Sequence, residues 1–95
     1  MFKVVINATH GRFGLSAAAK LFAEQRNITK GMMTSWDAGY NRNHPTLVAA
    51  VEELGDKANS VGSCLKIVKI PDGVHWRIEE YDGKEHVAEN HRTWS

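Results

Sequence analysis

An Asp-Gly pair, Asp82-Gly83, separates two runs in which polar and apolar residues alternate, Val74 to Tyr81 and Lys84 to His91. Aspartate followed by glycine accepts the left-handed backbone that a two-residue hairpin turn requires, so the spacing predicts an antiparallel hairpin here. The turn also sets the register, placing Ile78 opposite Val87 and Glu79 opposite His86. Because side chains alternate along a strand, Trp76, Ile78 and Val87 fall on the core face. His75, Arg77, Glu79, Tyr81 and His86 fall on the other.

The rest of the chain supplies elements to pack against this hairpin. Phe2 to Ala8 is rich in β-branched residues and reads as a strand, its near-continuous apolar run pointing to a central position in the sheet. Ser16 is placed to cap a helix over Ala17 to Gln25, with Leu21 and Phe22 turned to the core. Arg26 to Asn43 sustains no period and reads as a long loop with at most a short helical turn; its Met32, Met33, Trp36 and Tyr40 need a surface to cover. Long ordered loops are more often functional than connective. Pro45 fits a first helical position, and Leu47, Val51, Leu54 and Ala58 form an apolar stripe that Gly55 interrupts. Cys64 to Ile70 reads as a strand stopped by Pro71-Asp72-Gly73. The expected fold is α+β over a single domain, residues 1–95. It comprises one N-terminal strand, two helices, then a C-terminal strand and the hairpin, the four or so strands forming one sheet with both helices packed on one face.

Charge and cysteine content narrow the function. Twelve basic residues stand against 11 acidic ones, a net charge of +1, which argues against duplex nucleic acid as the partner because phosphate neutralisation requires a basic excess. The single cysteine, Cys64, makes neither an internal disulfide nor a cysteine-rich zinc site. Met1 leads directly into the first strand with no signal peptide, and no apolar run reaches the ~20 residues of a membrane span. The expected location is the cytoplasm.

The best candidate for a site is the turn between the first strand and the first helix, Gly11-Arg12-Phe13-Gly14-Leu15-Ser16. An anion can dock at a helix N-terminus, and His10, Arg12 and the Ser16 hydroxyl can add donors. The motif lacks the third glycine of a dinucleotide fingerprint and the Gly-Lys-Ser/Thr of a phosphate loop. On the plainer reading, Gly11 and Gly14 allow the turn while Phe13 plugs the core. The histidines His10, His44, His75, His86 and His91 show no metal-ligand spacing, so no metal or other cofactor is expected. Neither Ser16 nor Cys64 has a partner base, and Glu79 and Glu80 point to opposite faces of one strand, so the chain reads as a binder rather than an enzyme. Trp36 and Trp94, with Arg92 beside the latter, suit either core filling, contact with a partner or second copy, or stacking on a nucleotide base.

Lys3-Val4-Val5-Ile6-Asn7, Gly11 to Ser16, Val51-Glu52-Glu53-Leu54-Gly55, Lys66-Ile67-Val68, Ile78 to Gly83 and His91-Arg92-Thr93-Trp94 together resemble a family of small phage and prophage proteins. That family carries a Gly-Gly-Phe-Gly-Leu-Ser loop and a closing His-Arg-Thr-Trp; here Arg12 stands where the loop has its second glycine. The resemblance brings no established activity. It implies a phage protein acting in the host cytoplasm against host defences, either by soaking up a nucleotide immune signal, commonly between copies of a homo-oligomer, or by gripping a host protein. The leading expectation is a non-enzymatic sponge for a phosphate-bearing nucleotide, with His10, Gly11, Arg12, Phe13, Gly14, Ser16, Trp36, Arg92 and Trp94 as ligand contacts. The alternatives are a protein-binding inhibitor of a host protein and a small hydrolase or transferase using His75, Glu79 and His86.

Overall fold

The computed structural model describes residues 2–73 and 75–89. Its elements run β1 (Phe2–Asn7), α1 (Ala17–Glu24), α2 (Lys30–Asp37), α3 (Pro45–Leu54), a 3-10 turn (Gly55–Ala58), β2 (Leu65–Ile70), β3 (Trp76–Tyr81) and β4 (Lys84–Glu89). The chain is α+β, as its sequence implies. Among the described residues the four strands pair as two two-stranded antiparallel sheets, β1 with β2 and β3 with β4, rather than as one sheet.

The hairpin has the register that its turn dictates, with Ile78 opposite Val87 and Glu79 opposite His86. Asp82 and Gly83 both take positive φ, 51° and 86°, the combination of a type I′ turn whose twist matches the flanking strands. Trp76, Ile78 and Val87 pack against Val4, Ile6 and Ile70. Val5, the residue of β1 that faces the opposite way, belongs to the main core with Leu15, Ala19, Ala23, Trp36, Leu47, Val48, Val51 and Ala58. The unbroken apolar run of β1 therefore reflects cover on both of its faces, not a place between two neighbouring strands.

The second edge of β1 is closed by Arg42 and Glu85. The Val5 N–H donates to the Arg42 carbonyl at 2.9 Å, and the Val5 carbonyl accepts from Arg42 Nη1 at 3.1 Å. Two residues on, the Asn7 N–H donates to Glu85 Oε1 at 2.7 Å. An exposed edge would otherwise leave these groups unpaired and available to another strand. The guanidinium of Arg42 and the carboxylate of Glu85 take the place of a ladder, which is why the hairpin lies beside β1 without joining its sheet.

Local capping sets the helices. The Ser16 hydroxyl accepts the Ala19 N–H at 3.2 Å and opens α1. The buried face of α1 is Ala19, Phe22 and Ala23, one residue out of phase with the expected face, so Leu21 is 55% exposed instead of buried. Each residue step turns a helix by about 100°, and small alanines facing inward let α1 sit close to its neighbours. The expected loop contains a full helix, α2, capped by Thr29, whose hydroxyl accepts the Met32 N–H at 3.1 Å. His44 caps α3 through Nδ1, which accepts the Thr46 N–H at 3.1 Å, with Pro45 following in the first position. Gly55 (φ 55°) ends α3, and the 3-10 turn after it carries Ala58 into the core.

Candidate functional site

Three glycines bring three loops into backbone contact. A Cβ on Gly11 would lie 1.6 Å from the Gly62 carbonyl oxygen, and one on Gly83 would lie 1.6 Å from the Gly11 carbonyl oxygen. Neither Gly11 nor Gly14 has a positive φ; the positive-φ glycines among the described residues are Gly39, Gly55, Gly62, Gly73 and Gly83. Glycine is required at Gly11 for close approach to backbone, then, and not for turn conformation. At Gly14 the neighbour is Ser60, whose Oγ would stand 2.5 Å from an added Cβ.

The stacked loops form the base of a cleft between the β1–α1 segment and the tip of the hairpin. One part, of about 400 Å³, is lined by Arg12, Phe13, Asp37, Ala38, Glu80, Gly83 and Glu85. An adjoining part of about 360 Å³ is lined by His10, Gly11, Arg12, Glu80, Asp82 and Gly83. His10 and Arg12 are exposed there, and among the described residues the Arg12 guanidinium makes no ion pair. Facing them is the hairpin end, where Glu80 Oε1 accepts the Gly83 N–H at 2.5 Å. The cleft thus has one cationic wall and one wall of carboxylates.

Below it the walls are fixed by a buried polar node. Arg42, 1% exposed, meets Glu85 through two parallel hydrogen bonds, Nη1 to Oε1 at 2.7 Å and Nη2 to Oε2 at 2.9 Å. Its Nε donates to the Trp36 carbonyl, and its guanidinium lies over the Phe13 ring, 3.6 Å from the centroid. Asn7, fully buried, donates from Nδ2 to the Thr9 carbonyl at 3.0 Å and the Gly83 carbonyl at 2.9 Å. Its Oδ1 accepts the Cys64 N–H at 2.9 Å. Asn7 joins β1 to the hairpin turn, and Arg42 joins β1 to β4.

Of the residues expected to contact a ligand, His10, Gly11, Arg12 and Phe13 come together in the cleft, Phe13 half-buried and also packed on the main core. Gly14 and Ser16 face the Ser60 turn and the 3-10 turn instead. The Ser16 N–H donates to the Ala58 carbonyl at 2.9 Å and its hydroxyl donates to the Lys57 carbonyl at 2.5 Å, so both Ser16 donors are taken up by the chain's own carbonyls. Trp36 is 0% exposed, its ring centroid 5.6 Å from that of His44; no base can stack on it in this arrangement. Arg92 and Trp94 lie outside the described residues. On the polar hairpin face, Arg77 Nη2 pairs with Glu79 Oε1 at 3.0 Å with both side chains about half exposed, a solvated pair of small energetic weight.

Asn7, Arg42 and Glu85 carried no site role in the sequence reading, and Glu80 entered it only as a carboxylate that cannot pair with Glu79. Asn7 had a signal, a lone amide closing an apolar strand. Arg42, between Asn41 and Asn43, looks like any turn residue, because its burial depends on a carboxylate far along the chain. Among the described residues no group of three or more histidine, cysteine, aspartate or glutamate side chains is placed to hold a metal ion. Nor is any helix there long and apolar enough to cross a membrane. Comparison with protein-family models, curated proteins and solved structures finds no match to this chain.

Proposed function

We propose that the protein binds a phosphate-bearing nucleotide in the cleft between the Gly11–Gly14 loop and the hairpin tip, and holds it without chemical change. The observation that carries this reading is Arg12: an exposed guanidinium, unpaired among the described residues, on one wall of a cleft. Guanidinium groups favour phosphate through paired, charge-assisted hydrogen bonds, and His10 adds a further donor beside it. The opposing carboxylates Glu80 and Asp82 repel a bare anion but suit ribose, whose hydroxyls donate to carboxylates. A nucleotide presents both kinds of group at once. With the resemblance to small phage proteins, this binding serves to sequester a nucleotide immune signal, with homo-oligomerisation as part of the same proposal.

A thermal-shift screen of the purified protein against cyclic dinucleotides, cyclic trinucleotides and ADP-ribose derivatives tests it. A ligand at 100 times its dissociation constant adds ~2.7 kcal/mol of stability, which is a shift of many degrees at roughly 4–8 °C per kcal/mol for a domain of this size. Recovery of the ligand intact after denaturation distinguishes a sponge from an enzyme. A flat response to all three classes removes the nucleotide reading and leaves inhibition of a host protein as the proposal to pursue by pull-down.

A further inference from the structure

Beyond Glu80 and Glu85 the cleft opens into a second groove of about 630 Å³, whose lining includes Tyr40, Asn43, Trp76 and Ile78 and which shares Ala38, Glu80 and Glu85 with the first. We infer that this groove is a nucleobase subsite, with Tyr40 as the stacking ring and the Asn43 carboxamide as the group that reads the base edge. The inference rests on the nucleotide reading above and gives the ligand an aromatic end.

The rim of this groove is built rather than incidental. The end of α2 is a Schellman motif: the Tyr40 N–H donates to the Ser35 carbonyl at 2.8 Å and the Gly39 N–H to the Trp36 carbonyl at 3.0 Å, with Gly39 at φ 94°. That geometry requires the left-handed residue at Gly39 and fixes the backbone of the next one. Asn41 Nδ2 donates to Ser35 Oγ at 3.1 Å, and Arg42 anchors the segment from below. Tyr40 nevertheless stays 69% exposed. A large ring held on a rigid backbone yet left in solvent stacks on a base with little loss of conformational freedom. Asn43 is exposed and its carboxamide makes no hydrogen bond among the described residues, so a donor and an acceptor remain for a base edge. Apolar cover comes from Ile78 and Trp76 on β3. Occupation by a base follows from continuity: the groove and the Arg12 cleft meet at Glu80, where the ribose would sit.

Titration calorimetry with ribose 5-phosphate, adenosine and 5′-AMP on the wild type and on Tyr40→Ala, Asn43→Ala and Arg12→Ala separates the two subsites. The expected result is that 5′-AMP binds about tenfold to a hundredfold more tightly than ribose 5-phosphate, the range that stacking one base supplies. Tyr40→Ala then abolishes that advantage and leaves ribose 5-phosphate unchanged, while Asn43→Ala reduces it. If Tyr40→Ala and Asn43→Ala leave the preference for 5′-AMP intact, or if 5′-AMP and ribose 5-phosphate bind alike, the base subsite is overturned and the phosphate site stands. If adenosine binds as well as 5′-AMP and loses affinity on Tyr40→Ala, the base subsite stands and the phosphate site is overturned. Absence of binding by all three probes at millimolar concentration overturns both.

Discussion

Arg42 and Glu85 meet in a two-pronged pair, at 2.7 and 2.9 Å, with the arginine side chain 0% and the glutamate 10% exposed. Removing one partner strands the other charge away from water, at a cost of about 3–5 kcal/mol. Arg42→Ala should therefore lower the melting temperature by more than 10 °C, at roughly 4–8 °C per kcal/mol. Glu85→Ala should do the same and also free the Asn7 N–H. Replacing both with apolar residues of like volume should cost less than either single change, since no charge is left unpaired; a thermal double-mutant cycle measures this. Additive losses would show that the two side chains act independently.

The glycine contacts give a second contrast. Gly11→Ala forces its new methyl against the Gly62 carbonyl, and Gly83→Ala forces one against the Gly11 carbonyl, each at 1.6 Å before relaxation. The obstacles are backbone atoms, so the loops must separate. At Gly39 nothing lies within 4 Å of an added Cβ, and alanine there meets only the strain of a positive φ, about 1–2 kcal/mol. Denaturant melts should rank Gly11→Ala and Gly83→Ala well below Gly39→Ala. Equal losses at all three positions would refute the stacked-loop geometry.

Asn7 predicts a local effect. Its side chain satisfies the Thr9 and Gly83 carbonyls and the Cys64 N–H from a fully buried position. Asn7→Ala leaves three polar groups without that partner, and each buried group left unsatisfied costs about 1–3 kcal/mol. Amide hydrogen exchange should report accelerated exchange at Cys64, whose N–H loses its acceptor, before β2 is affected. Asn7→Asp should be no milder, because a carboxylate would face two carbonyl oxygens.

What the sequence disclosed and what it hid divide along one line. The hairpin register, the Ser16 cap and the Pro45 start depend on neighbours within a few residues, and all three were legible. Helix α2 was not: Gly31, Thr34 and Ser35 are modest helix formers, and the segment holds its shape through Trp36 in the core and the Schellman turn at Gly39. Leu21 was misplaced because the inward face of α1 is chosen by alanines that permit close approach, a property of the partner surface. Half of the cleft, His10 to Phe13, could be named from its local pattern. The other half, Glu80 and Glu85 with Arg42 behind, exists only once the hairpin lies beside β1.

Arg12 offers the sharpest separation of stability from binding. It is exposed and, among the described residues, makes no ion pair, so Arg12→Ala should change unfolding free energy by no more than about 0.5 kcal/mol. Binding of ADP-ribose or a cyclic dinucleotide should nonetheless weaken by roughly tenfold to a hundredfold, the worth of a charge-assisted hydrogen bond of about 1.5–3 kcal/mol. Arg12→Lys keeps the charge but loses the planar fork, and should fall between the two. Because the guanidinium is exposed, the wild-type advantage should shrink as salt rises. A variant that melts several degrees low would assign Arg12 to the fold. One that keeps both its stability and its nucleotide affinity would remove Arg12 from the site, and with it the main support for a phosphate ligand.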